Sequence, residues 1–133
     1  MNTLHSFPPV ADAHARVLIL GSMPGVASLQ AAQYYAHPHN QFWPIVGRLG
    51  GFDPDLPYPA RCAAASRAGI AIWDVLQSCI RPGSLDADID PASAVPNDIA
   101  GLLQKTPSIA LLCFNGGAAE TLALDARRRL APW

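Results

Sequence analysis

The chain reads as an α/β domain built on a short parallel sheet, and three observations lead there. Residues 17–20, 70–73 and 109–114 are nearly continuous in apolar residues instead of alternating, as strands buried on both faces are. The stretches between them place apolar residues at helical spacing and stop at glycine or a cap. The strand-like runs end in small or polar residues, at the carboxyl edge where sheets of this kind hold ligands.

The elements come in this order. The run at 17–20 (VLIL) enters the turn Gly21-Ser-Met-Pro-Gly25, and nine residues later an aromatic, histidine and asparagine cluster opens a helix over 41–49. That helix has Phe42, Trp43, Ile45, Val46 and Leu49 at helical spacing and stops at Gly50-Gly51, with Pro44 tolerated in its first turns. A second helix is expected over 59–68, ending at Gly69 ahead of the strand 70–73. Residues 81–96, rich in Pro and Asp, form a long loop of the sort that often carries function. A helix over 98–105, with Ile99, Leu102 and Leu103 on one face and Asn97 as its cap, leads to the strand 109–114. Asn115-Gly116-Gly117 then opens a helix over 118–130, whose Arg127, Arg128 and Arg129 sit at the negative end of its dipole. The strand 109–114 is expected at a sheet edge, where uncovered apolar backbone invites self-association.

At 133 residues, half of them apolar, the chain is expected to be one domain, 1–133, with a sizeable core. No apolar run approaches the roughly 18 residues of a membrane span, and the amino terminus lacks the basic and apolar regions of a signal peptide. Cytoplasmic localisation and no membrane partner are the expectation. Cys62, Cys79 and Cys113 lack any CxxC spacing and read as buried thiols, not as metal or cluster ligands. Neither metal nor cofactor is expected. A net charge of −1 argues against sequence-blind adhesion to nucleic acid but leaves room for a local basic face, and eight of the nine cations are arginines.

Several residues could carry chemistry. An aromatic ring at Tyr34 or Tyr35 can stack on a nucleobase or pack under its own loop. Asn40 directly precedes an apolar-periodic helix and serves as a cap, as an amide holding water or a base edge, or as both. His37 and His39 are surface or core histidines, or imidazoles able to assist a leaving group. Asp74 ends the second strand, either capping the next segment or facing a ligand. Arg81, Ser84 and Asn115 lie on loops at the same edge, solvated or in contact with phosphate.

Taken together, Gly21-Ser-Met-Pro-Gly25, the segment 34–43 (YYAHPHNQFW), Trp73-Asp-Val-Leu with Ser78-Cys79 and Gly83-Ser-Leu-Asp86, and Cys113-Phe-Asn-Gly116 resemble the hypoxanthine-DNA glycosylase (DNA-deoxyinosine glycosylase) family of the uracil-DNA glycosylase superfamily. The likeness runs from about residue 16 to 120. It implies a three-layer αβα fold around a short parallel sheet, and hydrolysis of the N-glycosidic bond of a deaminated base flipped out of DNA, without metal or cofactor. Many members place a catalytic Asn or Asp where this sequence has Met23; the deoxyinosine family instead uses the asparagine of the second motif, here Asn40. Tyr35 corresponds to the aromatic that stacks on the base, and Gly21, Ser22, Met23, Phe42, Asp74 and Asn115 fall among base-binding positions, with Arg81 and Ser84 toward DNA. Superfamily members also carry a fourth strand and a Pro/Ser-rich groove-entering loop that this sequence lacks, so the domain is expected to be shortened at its carboxyl end. The competing readings are a non-catalytic base-binding remnant of the fold and a small-nucleotide hydrolase.

Overall fold

The computed structural model describes residues 2–129. In chain order the elements are β1 (Leu4–His5), β2 (Val17–Gly21), α1 (Val26–Ala31), α2 (Phe42–Gly50), α3 (Tyr58–Arg67), β3 (Ile70–Asp74), β4 (Leu76–Cys79), β5 (Val95–Pro96), α4 (Ile99–Lys105), β6 (Leu111–Phe114) and α5 (Gly117–Arg129), with short 3-10 turns at Asp86–Asp88 and Pro91–Ser93. The expected end of the last helix at residue 130 lies outside the described residues.

The parallel sheet runs β3-β2-β6, with Val17 opposite Ile70 and Leu111, and Gly21 opposite Asp74. Successive side chains of a strand leave by opposite faces. Leu18 and Leu20 on one face of β2 are wholly buried, and Val17 and Ile19 on the other are half-buried. Both faces are therefore covered, which is why the strand has no polar positions before its end. α3 packs on β3, α2 on α3, and α5 on β6.

The sequence did not disclose a second sheet, antiparallel β1-β4-β5. β4 comes after β3 with the single residue Val75 between them, where the chain leaves one sheet for the other. The junction is fastened by Val75 N–H to the Gly21 carbonyl at 2.8 Å and by Asn97, whose Nδ2 donates to the carbonyls of Asp74 (2.8 Å) and Leu76 (3.2 Å). Asn97 is thus a buried tie and not the cap expected of it. Asp98 caps α4, accepting from Gly101 N–H at 2.9 Å.

Helix α1 was also not anticipated. The strand expected over 109–114 is confined to Leu111–Phe114 and lies at an edge as foreseen: among the described residues no strand pairs with its outer side, and Leu111 is 55% exposed. Of the three free thiols only Cys79 is buried, while Cys62 and Cys113 are half-buried. No helix among the described residues is long and apolar enough to cross a membrane.

Candidate active site

At the carboxyl ends of β2 and β3 lies a cleft of about 360 Å³, within the range of small-molecule sites. The turn 21–25 forms its floor, and Tyr35, His37, Asn40, Asp74, Ser84, Asp86 and Asn115 reach it from later elements.

Gly21 is required at the floor because parallel register sets Asp74 beside it on the same face. A Cβ there would lie 2.5 Å from Asp74 Oδ1 and 2.8 Å from the Tyr35 hydroxyl. The rest of the turn is tied to the loop after β4. Ser22 Oγ donates to Asp86 Oδ1 at 2.6 Å, and Val26 N–H donates to Ser84 Oγ at 2.9 Å. Arg81 Nη2 donates to the Pro24 carbonyl and its Nε to the Gly83 carbonyl, both at 2.7 Å. Arg81 is only 5% exposed, so it fastens two loops and is not the exposed DNA contact the sequence suggested. Ser84 is exposed and lines the cleft.

The second motif is pinned at both ends. Tyr34 N–H donates to the Tyr58 hydroxyl at 3.1 Å and Ala36 N–H to Ser28 Oγ at 3.0 Å, while Tyr34 itself is buried with its hydroxyl on the carbonyls of Phe7 and Pro8. Between these ties Tyr35 adopts φ 54°, a left-handed conformation that costs a non-glycine residue about 1 kcal/mol or more. The strain sets its ring flat on Phe42, centroids 3.7 Å apart and planes 13° from parallel. Phe42 is buried and lies behind Tyr35 instead of lining the cleft, so its direct contact with a base is not what the fold provides.

Asn40 Oδ1 accepts from Phe42 N–H at 2.8 Å, the short-range turn bond that starts α2, with Gln41 as the residue at the helix boundary. The capping oxygen is engaged, and the exposed side chain still lines the cleft through the rest of its amide. His37 lines the cleft too, whereas His39 does not; His39 N–H donates to His37 Nδ1 at 3.1 Å.

Asp74 is 3% exposed, and its Oδ2 has no hydrogen-bond partner among the described residues. Burial pushes its carboxyl up to about 7, the Asp86 charge adds to this, and Arg81 opposes it. The Tyr35 hydroxyl is also buried without a partner of full bond geometry; burial raises it most, and the nearby Asn115 amide offsets part of that. Asn115 itself is exposed at the end of β6, its N–H on the Leu20 carbonyl at 2.8 Å.

Of the residues expected at the site, Gly21, Ser22, Met23, Tyr35, Asn40, Asp74, Ser84 and Asn115 come together, while Phe42 and Arg81 stand behind them. Asp86 was missed as a site residue, although it closes the Gly83-Ser-Leu-Asp86 stretch that the sequence singled out. Among the described residues no group of three or more His, Cys, Asp or Glu is placed to hold a metal ion.

The sequence profile of the uracil DNA glycosylase superfamily matches residues 8–131. The chain belongs to the uracil DNA glycosylase superfamily. Within it, a hypoxanthine DNA glycosylase of Methanosarcina acetivorans is 38% identical over 114 residues, 85% of this chain and 71% of the relative. One from Methanosarcina barkeri is 39% identical over 111 residues, 83% of this chain and 69% of the relative. The fold agrees with the solution NMR structure of a candidate uracil DNA glycosylase from M. acetivorans at a TM-score of 0.82 and 34% identity, covering 96% of this chain and 79% of that one. This superfamily membership accounts for the parallel sheet flanked by helices.

Proposed function

We propose that the protein is a DNA repair glycosylase that hydrolyses the N-glycosidic bond of a deaminated base, hypoxanthine first and uracil second, after the nucleotide is flipped out of the duplex into this cleft. The observation that carries the reading is the placement of Tyr35, its ring backed by Phe42 at 3.7 Å while it lines a cleft shared with the Asn40 amide. A flat ring held rigidly beside a neutral amide suits a flat, polar ligand.

In this reading the base stacks on Tyr35 over the floor formed by Gly21, Ser22 and Met23, with Asp74 and Asn115 at its edges. Asn40 is the catalytic group. Its Oδ1 is oriented by Phe42 N–H, and its NH₂ donates to the departing base or to the attacking water. The C1′–N bond breaks through an oxocarbenium-like state, water adds to C1′, and the base leaves with a proton. Donors that meet negative charge on the base as it develops lower the barrier, and positioning of water lowers it further. Ser84 is placed to meet the strand at the mouth of the cleft, and Phe42 and Arg81 act through Tyr35 and the 21–25 turn. We read the enzyme as cytoplasmic, and the exposed Leu111 on edge strand β6 as favouring weak self-association, which sedimentation velocity would detect.

The test is release of base from a duplex carrying one deoxyinosine, read as strand breakage after alkali. Breakage at the deoxyinosine supports the reading. Binding without breakage would make the protein a base-binding relative, and cleavage of free nucleosides but not DNA would make it a nucleoside hydrolase.

A further inference from the structure

We propose that Asp74 works in its neutral form, its carboxyl O–H donating a hydrogen bond to an acceptor atom of the extruded base, so that base capture depends on Asp74 keeping its proton. The inference rests on the reading of the cleft as a base site and names the group that recognises the base there.

The geometry favours a neutral acid. Asp74 closes β3 against the cleft, yet it is 3% exposed and its Oδ2 meets no donor among the described residues. A buried carboxylate without a cation or donors is costly, and a proton relieves that cost. The groups that face it offer little relief. Gly21 on β2 has no side chain. From the 34–40 loop come the hydroxyls of Tyr35 and, beneath it, Tyr34. The 3-10 turn Asp86–Asp88 brings the Asp86 carboxylate to the same cleft, and the end of β6 brings the neutral Asn115. Among the described residues Arg81 is the one cation that acts on Asp74, but two arms of its guanidinium are spent on the carbonyls of Pro24 and Gly83, and its buried Nη1 makes no hydrogen bond to Asp74 or to any other described residue. Burial and Asp86 together hold the carboxyl at about 7 against that cation.

The chemistry of the ligand points the same way. Deamination replaces an exocyclic amino donor by a carbonyl acceptor next to a ring N–H. A carboxylate can only accept, and it would repel that carbonyl. A neutral carboxyl offers one O–H donor and one carbonyl acceptor side by side, matching the acceptor and the N–H of the deaminated edge.

The experiment measures two quantities between about pH 5.5 and pH 8.5 for the wild type, Asp74→Asn and Asp74→Ala. One is binding of a duplex carrying 2′-fluoro-deoxyinosine, which resists cleavage, and the other is single-turnover base release from the natural nucleotide. Wild-type binding and release are expected to hold steady below about 7 and then fall about tenfold per pH unit. Asp74→Asn, which keeps a donor and an acceptor but cannot titrate, is expected to stay within about threefold of the low-pH wild type and to show no such fall; Asp74→Ala loses more than about tenfold at every pH. A wild-type profile that is flat or rising through this window, or an Asn variant as impaired as the Ala variant, overturns the proposal. Wild type that binds the analogue with the expected pH dependence but releases no base would sink the glycosylase reading and leave this one standing. Release with a flat profile would sink this one alone, and neither binding nor release would sink both.

Discussion

Asp74→Asn should make the fold more stable above neutral pH, which is the reverse of what losing a buried acidic residue usually does. The folded chain holds the Asp74 proton up to about 7, whereas the unfolded chain releases it near 3.8. Between those values the native state binds more protons than the unfolded state, so stability falls as pH rises, by about 1.4 kcal/mol per pH unit. Above about 7 both states are ionised and the loss levels off at a total of about 4 kcal/mol. Asparagine keeps the volume and shape of the side chain and removes the titration. The variant and the wild type should therefore be similarly stable near pH 4 and diverge by up to about 4 kcal/mol by pH 8. Tyr58 is pushed up to about 12, and Tyr34, Tyr35, Cys62 and Cys79 are also displaced upward, away from this window, so they do not mask the effect. Urea unfolding of both proteins at pH 5, 6, 7 and 8 gives the comparison directly. Parallel stability curves, or a wild type that gains stability from pH 5 to pH 7, would mean that Asp74 is ionised in the native state and that a donor or cation reaches it.

Three further outcomes are expected. Asn40→Ala should lower base release by about 10²-fold or more while removing the Phe42 N–H acceptor at a cost of about 1 kcal/mol; Asn40→Asp should restore the stability but not the rate, and rates that recover along with stability would reduce Asn40 to a turn residue. Tyr35→Phe removes a buried hydroxyl that, among the described residues, has only the nearby Asn115 amide beside it and no full hydrogen bond, and should leave analogue binding and melting nearly unchanged, whereas Tyr35→Ala should weaken binding by about 1–3 kcal/mol in a fluorescence titration. Arg81→Met should destabilise the fold by about 3 kcal/mol in chemical unfolding yet leave the salt dependence of DNA binding unchanged; a shallower salt slope would return Arg81 to the role of a phosphate contact.

The features legible from sequence and those hidden from it divide along physical lines. The strands β2 and β3 were legible because burial on both faces leaves unbroken apolar runs, β6 because its run is equally apolar although Leu111 is exposed and the rest only half-buried, and α2 because Phe42, Trp43 and Val46 repeat at helical spacing. Helix α1 was not legible: six residues after Pro24-Gly25 carry too little periodicity to declare themselves. The antiparallel sheet was hidden because β4 reads LQSC and β1 and β5 have two residues each, so backbone ladders hold them without an apolar signature. In the site, Asn40 and Tyr35 stood out by type and order, but their surroundings did not. That Arg81 turns inward to the Pro24 carbonyl, or that Phe42 stands behind Tyr35, depends on contacts between residues far apart in the chain that no local pattern records. Asn97 and Asp98 are indistinguishable locally for a related reason, since adjacent residues both suited to capping are separated only by which one the strand junction draws inward.

The bonds from Ser22 to Asp86, from Val26 to Ser84 and from Arg81 to Pro24 join segments about sixty residues apart into one seam. Groups linked in this way open together or not at all. The amide of Val26 should then exchange with solvent in step with those of the 81–86 segment, although neither belongs to a long helix or strand. Substitutions on the two sides should also be non-additive, the second costing less than the first because the seam is already broken, with a coupling of about 0.5–3 kcal/mol. The turn 21–25, with little secondary structure of its own, would thereby draw its rigidity from the 81–86 loop, and under the proposed reading of the cleft variation in that loop would be felt as a change in how firmly a base is held.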